Sequence, residues 1–361
     1  MPPDSRLLHR AAVACAVLLA GCTGVGPRTV ARDRYDYSTS ITESWKRQTL
    51  LNIVKLRYMD PPIFVDVGQI VAGYTLETGA SVGGSFPSTD SFGGTTGTLA
   101  ATGRFTDRPT VTYTPLTGNA FISVLMTPLP PDAIFFAMQS GQAADALLMS
   151  SVSVMNGLRN VEASIDGVSV ADPKFLRVVA LMRRIQQSGA VGLQVMLDER
   201  RQRTTIVSFR SADIDEETLA SIRELRDLLG LDQEASEFQL VYGGIAANDR
   251  EIAILSRSIL GIMQMMAAHV DVPPAHISEG RASPGFASAP VAGGRIPALA
   301  IRCARDRPDD TFVAVPYHDQ WFWIDDRDLR TKRAFATLML LFSLADTHAN
   351  EALPVITIPT Q

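Results

Sequence analysis

The chain has 361 residues and a formal net charge of −5, with 33 lysines and arginines against 38 aspartates and glutamates. This mildly acidic balance, without a basic patch, argues against nucleic acid as a partner. The length allows a hydrophobic core, and three cysteines are too few for a disulfide framework, so burial of apolar side chains must provide the stability.

The first residues have the layout of an export signal. Arg6, His9 and Arg10 form a short basic start, and the segment 11–20 that follows is wholly apolar. This run has about half the length that a membrane-spanning helix needs. It ends in Leu19-Ala20-Gly21-Cys22, in which a branched apolar residue and two small residues precede a cysteine.

The ending resembles the lipobox of bacterial lipoproteins. The resemblance implies cleavage between Gly21 and Cys22, a diacylglyceryl group on the Cys22 sulfur and acylation of the new amine. Several acyl chains would anchor the protein stably, whereas a single chain binds only marginally. Thr23 stands where an aspartate tends to retain such proteins in the inner membrane, so we expect the periplasmic face of the outer membrane. An ordinary secretory signal that ends near a cysteine is the alternative.

The pattern of elements predicts an α+β fold. It consists of an N-terminal helix, a Gly-rich β-hairpin, a helical group and mixed segments that end in a small antiparallel sheet with a packed helix. The expected regions are a signal peptide at 1–21, a tether at 22–40, the helix, hairpin and helical group at 41–160, an α+β region at 161–277, a linker at 278–297 and the small sheet plus helix at 298–361.

The first predicted helix begins at Ser40, which with Glu43 fits a capping box. A wide apolar face with basic residues on the rest follows, and Asp60-Pro61-Pro62 ends the helix. A core helix is favoured over a partner-binding one. The segment 63–74 then has the alternation of a strand.

Glycine, serine and threonine dominate the chain from Gly73 to Gly103. This segment favours a long hairpin with its tip at 87–92 and arms at about 74–86 and 95–106. Each arm has the roughly ten residues that a barrel strand needs to cross a membrane, so one hypothesis is a hairpin that each subunit contributes to a shared barrel. A flexible loop and a hairpin in a soluble sheet are the alternatives.

The remaining elements follow from apolar periodicity and from helix-start and helix-stop residues. Helices are predicted at 117–126, 131–139, 143–158, 172–189, 215–229, 249–269 and 329–345. Strands are predicted at 110–113, 193–197, 204–209, 238–242, 298–303, 311–315, 321–324 and 355–358. A tight turn at 317–320 would join two strands of the last sheet.

The tightest polar cluster follows the last predicted hairpin. Asp325, Asp326 and Asp328 precede a helix, and Trp321 and Trp323 share a strand face. The spacing lacks the central glycine and closing glutamate of a calcium loop. Capping of the helix is favoured over ligand binding for the carboxylates, and a core position over a stacking platform for the tryptophans.

No other pattern carries an established chemistry. His318-Asp319 could orient an imidazole as a base, but no serine lies in a Gly-x-Ser-x-Gly elbow. The histidines of the mature chain have no close pair at ligand spacing, and the Gly-rich segment lacks the lysine-serine ending of a phosphate-binding loop. We therefore predict no catalytic residue, no metal site and no cofactor.

Four segments resemble an uncharacterised family of bacterial lipoproteins to which no activity is assigned. They are Leu51-Asn52-Ile53-Val54-Lys55-Leu56-Arg57-Tyr58, Thr112-Tyr113-Thr114-Pro115-Leu116-Thr117-Gly118, Asn156-Gly157-Leu158-Arg159-Asn160 and Trp321-Phe322-Trp323-Ile324-Asp325-Asp326. The expected function is that of a lipid-anchored, non-enzymatic scaffold or assembly component with protein partners or further copies of itself. A lipid-anchored hydrolase or carbohydrate-binding protein that uses residues 321–328 is the alternative.

Overall fold

A computed structural model of the chain describes residues 27–71, 74–85, 96–108, 110–164, 167–197, 203–210, 214–285 and 299–345. It confirms an α+β fold. The chain divides into two compact units. The ribbon unit contains residues up to Trp45 and Val65–Leu116, and the packed unit contains Lys46–Phe64 and the chain from Thr117 onward.

The helices and strands alternate irregularly along the chain. The helices are α1 (Pro27–Arg57), α2 (Gly118–Met126), α3 (Pro131–Gln139), α4 (Ala144–Ser151), α5 (Pro173–Gln187), α6 (Glu216–Leu229), α7 (Ile259–Ala267), α8 (Pro274–Ser278) and α9 (Leu329–Ala345). The strands are β1 (Phe64–Val71), β2 (Tyr74–Ser85), β3 (Thr96–Asp107), β4 (Thr110–Leu116), β5 (Val152–Met155), β6 (Leu158–Arg159), β7 (Glu162–Ser164), β8 (Gly167–Ser169), β9 (Val191–Leu197), β10 (Arg203–Phe209), β11 (Glu237–Tyr242), β12 (Glu251–Ser256), β13 (Arg302–Ala304), β14 (Thr311–Tyr317) and β15 (Gln320–Asp325).

The Gly-rich segment forms the hairpin that its composition predicts. β2 and β3 pair antiparallel from Tyr74 opposite Asp107 to Ser85 opposite Thr96, and they form a sheet of two strands. β1 pairs with β4 in a second two-stranded sheet, so the two pairs are nested in chain order. The predicted tip at 87–92 lies outside the described residues.

The first helix begins at Pro27 and not at Ser40, so the predicted helix start is wrong, and residues 27–40 of the segment predicted as a tether are helical. Ser40 lies inside the helix. Nearby hydroxyl groups bond to carbonyls one turn back, Thr39 to Tyr35 over 2.9 Å and Thr42 to Ser38 over 2.8 Å. Hydroxyl side chains that bond in this way are tolerated within a helix, which is why a capping signal misled here.

A six-stranded mixed sheet forms the centre of the packed unit, with the strand order β6-β5-β12-β11-β10-β9. β11 and β12 are parallel, and the other neighbours are antiparallel. α3 packs against β9, β11 and β12, and α5 packs against α6. The core includes Phe175, Phe209 and Phe238, which are almost fully buried.

The predicted helix at 249–269 is wrong in its first half, which is strand β12. Ile252, Ala253 and Ile254 are consecutive and all buried, because β12 lies between two other strands and is covered on both faces. Such a continuous apolar run also fits a helix, so periodicity alone does not separate the two. Ser258 then caps α7, since its hydroxyl accepts a hydrogen bond from the Gly261 amide at 3.1 Å.

The predicted helix at 143–158 is also too long, because α4 ends at Ser151 and strand β5 follows. Asn156 and Gly157 have φ angles of 43° and 83°, and they form the turn between β5 and β6. An Asn-Gly pair is a strong hairpin signal because both residues tolerate positive φ. Asn160 fixes the junction, since its amide donates to the carbonyls of Met149 and Val152 at 2.9 and 2.7 Å.

Several helix ends are confirmed by their caps. The Asp172 and Asp215 side chains accept hydrogen bonds from the amides of Lys174 and Thr218, each at 2.8 Å. Gly230 ends α6 with a φ of 65°, a left-handed conformation that favours glycine. These local signals are why the predicted boundaries of α5 and α6 agree closely with the structure.

The small antiparallel sheet near the C-terminus has the order β13-β15-β14, and α9 follows it. Phe335 of α9 meets Phe312 of β14 with ring centroids 6.0 Å apart. The tight turn is confirmed, because Tyr317 pairs with Gln320 across two residues with positive φ. The predicted strand at 355–358 lies outside the described residues. Of the helices that the structure describes, none combines the length and the apolar character needed to cross a membrane.

The first part of the segment predicted as a linker, 278–297, makes contacts with Arg57. The Ser283 amide donates to the Arg57 carbonyl at 3.1 Å, and the Arg57 guanidinium donates to the Pro284 carbonyl at 2.8 Å. A side chain on Gly285 would place its Cβ 1.8 Å from the Arg57 guanidinium, and its φ of 60° also favours glycine. This stretch is therefore packed around Arg57, and residues 286–297 lie outside the described part of the chain.

Candidate functional site

The predicted ligand-binding segment lies on β15 and at the start of α9. Trp321 and Trp323 are half-buried, so they are neither fully in the core nor fully available to a ligand. The Arg307 guanidinium lies 5.3 Å from the centre of the Trp321 ring, a distance at which cation and ring attract each other.

The three carboxylates of this segment serve the local backbone and one lysine. Asp328 caps α9, because it accepts from the amide of Thr331 at 3.0 Å and from its hydroxyl at 2.6 Å. Asp326 contacts Lys332 at 2.6 Å, and this hydrogen bond and the lysine charge lower the pKa of Asp326. Asp325 accepts from the Arg327 amide at 2.9 Å. The carboxylates therefore hold a turn and a helix start, as the capping interpretation predicts, and do not converge on one point.

A different group of side chains comes together in the packed unit. The tyrosine–histidine cluster consists of Tyr58 and Asp60 after α1, His276 of α8, and Tyr317 and His318 at the β14–β15 turn. The Tyr58 ring lies 5.7, 5.4 and 4.9 Å from the rings of His276, Tyr317 and His318. These contacts fasten the end of α1 to α8 and to the small sheet.

The protonation states within the cluster follow from burial. Burial raises the pKa of Tyr58 to about 12 and lowers the pKa of His276, so the phenol keeps its proton and the imidazole is neutral. The Tyr58 hydroxyl and Nδ1 of His276 share a hydrogen bond of 2.7 Å, and the tautomer of the imidazole decides which of the two donates. Burial and a hydrogen bond to Asp60 likewise raise the pKa of Tyr317, whose hydroxyl donates to that carboxylate. The hydrogen bonds of Tyr58 and Tyr317 therefore connect the end of α1 to α8 and to the small sheet.

Arg57, at the end of α1, is a buried cation. The Arg57 side chain is 1% exposed, its pKa is lowered by burial, and its Nε finds no hydrogen-bond partner among the described residues. Asp271 acts on Arg57 electrostatically and has its own pKa raised by burial. Burial, with the charge of Asp271, raises the pKa of Cys303 to about 11. Because the thiolate is the nucleophile, the raised pKa lowers the reactivity of this thiol at neutral pH.

The surface beside the cluster is an open depression. The residues that line it are Arg305, Pro316, Tyr317, His318, Asp319, Gln320 and Trp321. His318, the imidazole considered as a base, packs its ring 4.3 Å from that of Tyr317. Trp321 reaches the depression, but Trp323 and the carboxylates of 325–328 do not line it. Among the residues described, no three or more histidine, cysteine or carboxylate side chains are grouped to hold a metal ion.

Sequence reasoning missed a second buried cation, Arg257. Its guanidinium donates to the carbonyls of Met149, Ser150 and Val161, and burial lowers its pKa to about 10. It joins the end of α4 to the segment between β6 and β7. No sequence signal distinguished it, because Arg257 lay within a segment predicted to be one helix.

The predicted lipidation site, Cys22 with cleavage after Gly21, lies outside the described residues. The comparisons with known proteins add no relative: no family model, no curated protein and no solved structure matches the chain.

Proposed function

We propose that the chain is a lipid-anchored, non-enzymatic component of the bacterial cell envelope that assembles with further copies of itself through the β2–β3 hairpin. Acyl chains on Cys22 would hold it at the periplasmic face of the outer membrane. The single observation that carries the proposal is the hairpin, a long ladder of two strands with no third strand among the described residues.

An isolated two-stranded hairpin is at best marginally stable in water, and three or more strands or a packed helix are usually needed. The β2–β3 ladder is twelve residues long, about 40 Å at 3.3 Å per residue. Each strand therefore offers one long edge of backbone donors and acceptors. Such edges pair readily with another chain. Edge-to-edge pairing of several hairpins would satisfy both edges of each.

The composition of the ladder supports a partly apolar surrounding. The distal eight residues of each strand, Thr78–Ser85 and Thr96–Gly103, contain no charged side chain. They span roughly 26 Å. The apolar band of outer-membrane barrels is about 25 Å tall, and each strand alternates faces as a barrel strand requires. In the specific form of the proposal, the hairpins of several copies form one shared barrel.

The alternative of a hydrolase or carbohydrate-binding protein would need the carboxylates of residues 325–328 to converge on a ligand. They are occupied as a helix cap, an ion pair and a turn acceptor. Assembly is therefore the function that the geometry supports best.

The test uses the full chain produced in a bacterial host and extracted in mild detergent. We expect particles several times the mass of one 39.0 kDa chain, and single chains when residues 79–97 are deleted. Cys22→Ser should leave the membrane fraction, whereas the matched change Cys303→Ser should stay in it. A monomeric full-length protein, or an unchanged distribution of Cys22→Ser, would contradict the proposal.

A further inference from the structure

The charged side chains of the β2–β3 ladder are confined to its base. Glu77 lies directly opposite Arg104, and both side chains are exposed. Beyond this rung both strands are uncharged up to the last pair, Ser85 with Thr96. The ladder therefore has one acidic position on β2, Glu77, directly opposite one basic position on β3, Arg104, and a second acidic position, Asp107, in its first pair at the base.

From this placement we infer that neighbouring copies join β2 edge to β3 edge, so that Glu77 of one copy comes within ion-pair reach of Arg104 of the next. The inference rests on the proposed function and specifies its interface. Hairpins that point the same way present β2 of one copy antiparallel to β3 of its neighbour, the relation that the two strands have within one hairpin. The contact is head-to-tail and can close into a ring.

Charge complementarity favours the β2–β3 contact between copies over a β2–β2 or a β3–β3 contact. β2 beside β2 of an equally oriented copy would bring Glu77 near Glu77, and β3 beside β3 would bring Arg104 near Arg104. Like charges opposite each other destabilise a sheet, whereas opposite charges on one rung or on a diagonal stabilise it. A slip by one residue would move Glu77 to the other face from Arg104. Of these pairings, the β2–β3 edge pairing alone places Glu77 of one copy beside Arg104 of another.

The experiment reverses each charge in the full-length, lipidated protein. We expect Glu77→Arg and Arg104→Glu to raise the monomer fraction several-fold each, because each change places like charges together within and between copies. Coexpression of the two variants should restore the assembly, since alternating copies then face each other with opposite charges. Recovery of the assembly in the mixture cannot come from contacts within one hairpin. In each single variant, positions 77 and 104 of the same hairpin still carry charges of the same sign.

The doubly reversed chain, Glu77→Arg with Arg104→Glu, should also assemble. The matched control is Arg177→Glu, which reverses one member of the exposed Arg177–Glu224 pair of the packed unit and should leave the particle size unchanged. Circular dichroism melting of each variant reports whether the packed unit is folded.

The outcomes separate the two proposals. Single reversals that assemble normally, or a mixture that stays dissociated while the doubly reversed chain assembles, would overturn the cross-copy contact and leave the assembly function in place. A monomeric unmodified protein would instead overturn the assembly function itself.

Discussion

The β2–β3 hairpin and the six-stranded sheet differ in how their strands find hydrogen-bond partners for the backbone N–H and C=O groups. In the sheet, β12 has a hydrogen-bonded neighbour on each side, and its consecutive residues Ile252, Ala253 and Ile254 are buried. In the hairpin, each strand is bonded along one side only, among the residues described. The strands of the packed unit therefore find hydrogen-bond partners and buried contacts within that unit. In the hairpin, each strand keeps an outer edge to which a strand of a neighbouring chain could bond.

The largest expected effect tests whether stability resides in the packed unit. Phe135→Ala should lower the free energy of unfolding by about 3–5 kcal/mol, because it removes a large buried side chain and leaves a cavity. Phe135 is 2% exposed in α3, and its neighbour Phe136 is 61% exposed. Phe136→Ala, the matched control, should change the free energy by less than about 0.5 kcal/mol. Urea unfolding followed by circular dichroism measures both.

Deletion of residues 79–97 tests whether the stability of the packed unit is independent of the β2–β3 hairpin. The deleted chain should unfold in urea with the midpoint of the full chain, because the packed unit and its buried side chains, such as Phe135 and Phe175, come from other parts of the chain. A loss of stability as large as that of Phe135→Ala would show that the hairpin supports the packed unit and would break the contrast drawn above.

The second effect concerns Asn160, which is 2% exposed and donates to two carbonyls. Asn160→Asp should cost about 3 kcal/mol or more at pH 7, since the oxygen that replaces the amide nitrogen would face two carbonyl oxygens, while the other oxygen still accepts from the Val161 amide. Asn160→Ala removes the same hydrogen bonds without adding charge and should cost less. Equal losses for the two variants, measured by urea unfolding, would argue against carbonyl repulsion as the cause.

Elements with local signals were predictable from the sequence. Asp172, Asp215 and Gly230 fixed the ends of α5 and α6 because caps act over a few residues. The hairpin was predictable because its composition differs from the rest of the chain. β12 was not, because a strand buried on both faces lacks alternation. Asn156-Gly157 did carry a turn signal, and this was outweighed by the apolar periodicity on either side.

For the candidate site, the capping role of Asp328 was predictable because the carboxylate and the helix are adjacent in sequence. The tyrosine–histidine cluster was not. Tyr58 and His276 are 218 residues apart, and nothing in either segment indicates the other. Pairing at that distance is decided by how the whole packed unit folds. The prediction of a lipid on Cys22 rests on the sequence alone.

The third effect is a pH dependence of the packed unit. Burial, with the positive charge of Arg57, lowers the pKa of His269 to about 4, below its ordinary value of 6.5. A depressed histidine pKa favours the neutral form in the folded state, so stability is fully present above pH 6.5 and is lost as the pH falls towards 4. Between pH 7.5 and pH 5 the unmodified chain should lose about 2 kcal/mol through this group.

His269→Gln isolates that contribution, because glutamine stays neutral throughout the range. Between pH 7.5 and pH 5 the unmodified chain should therefore lose about 2 kcal/mol more of its unfolding free energy than the variant does. Urea titration of both proteins at both pH values measures this difference. A difference that does not vary with pH would mean that His269 titrates normally in the folded protein and would refute the prediction.

The smallest effect compares one glycine from each unit. Gly230 ends α6 at a φ of 65°, with no atom within 4 Å of an added Cβ, so Gly230→Ala should cost about 1 kcal/mol through backbone strain alone. Gly68 in β1 has an ordinary φ, and its added Cβ would come closest to the hydroxyl of the exposed Thr114 side chain, at 3.1 Å, with the Thr112 carbonyl in ordinary contact at 3.8 Å. Gly68→Ala should therefore leave the urea midpoint of the packed unit unchanged. If it lowered that midpoint as much as Gly230→Ala does, the two units would be unfolding together, and the ribbon unit would share the stability of the packed unit.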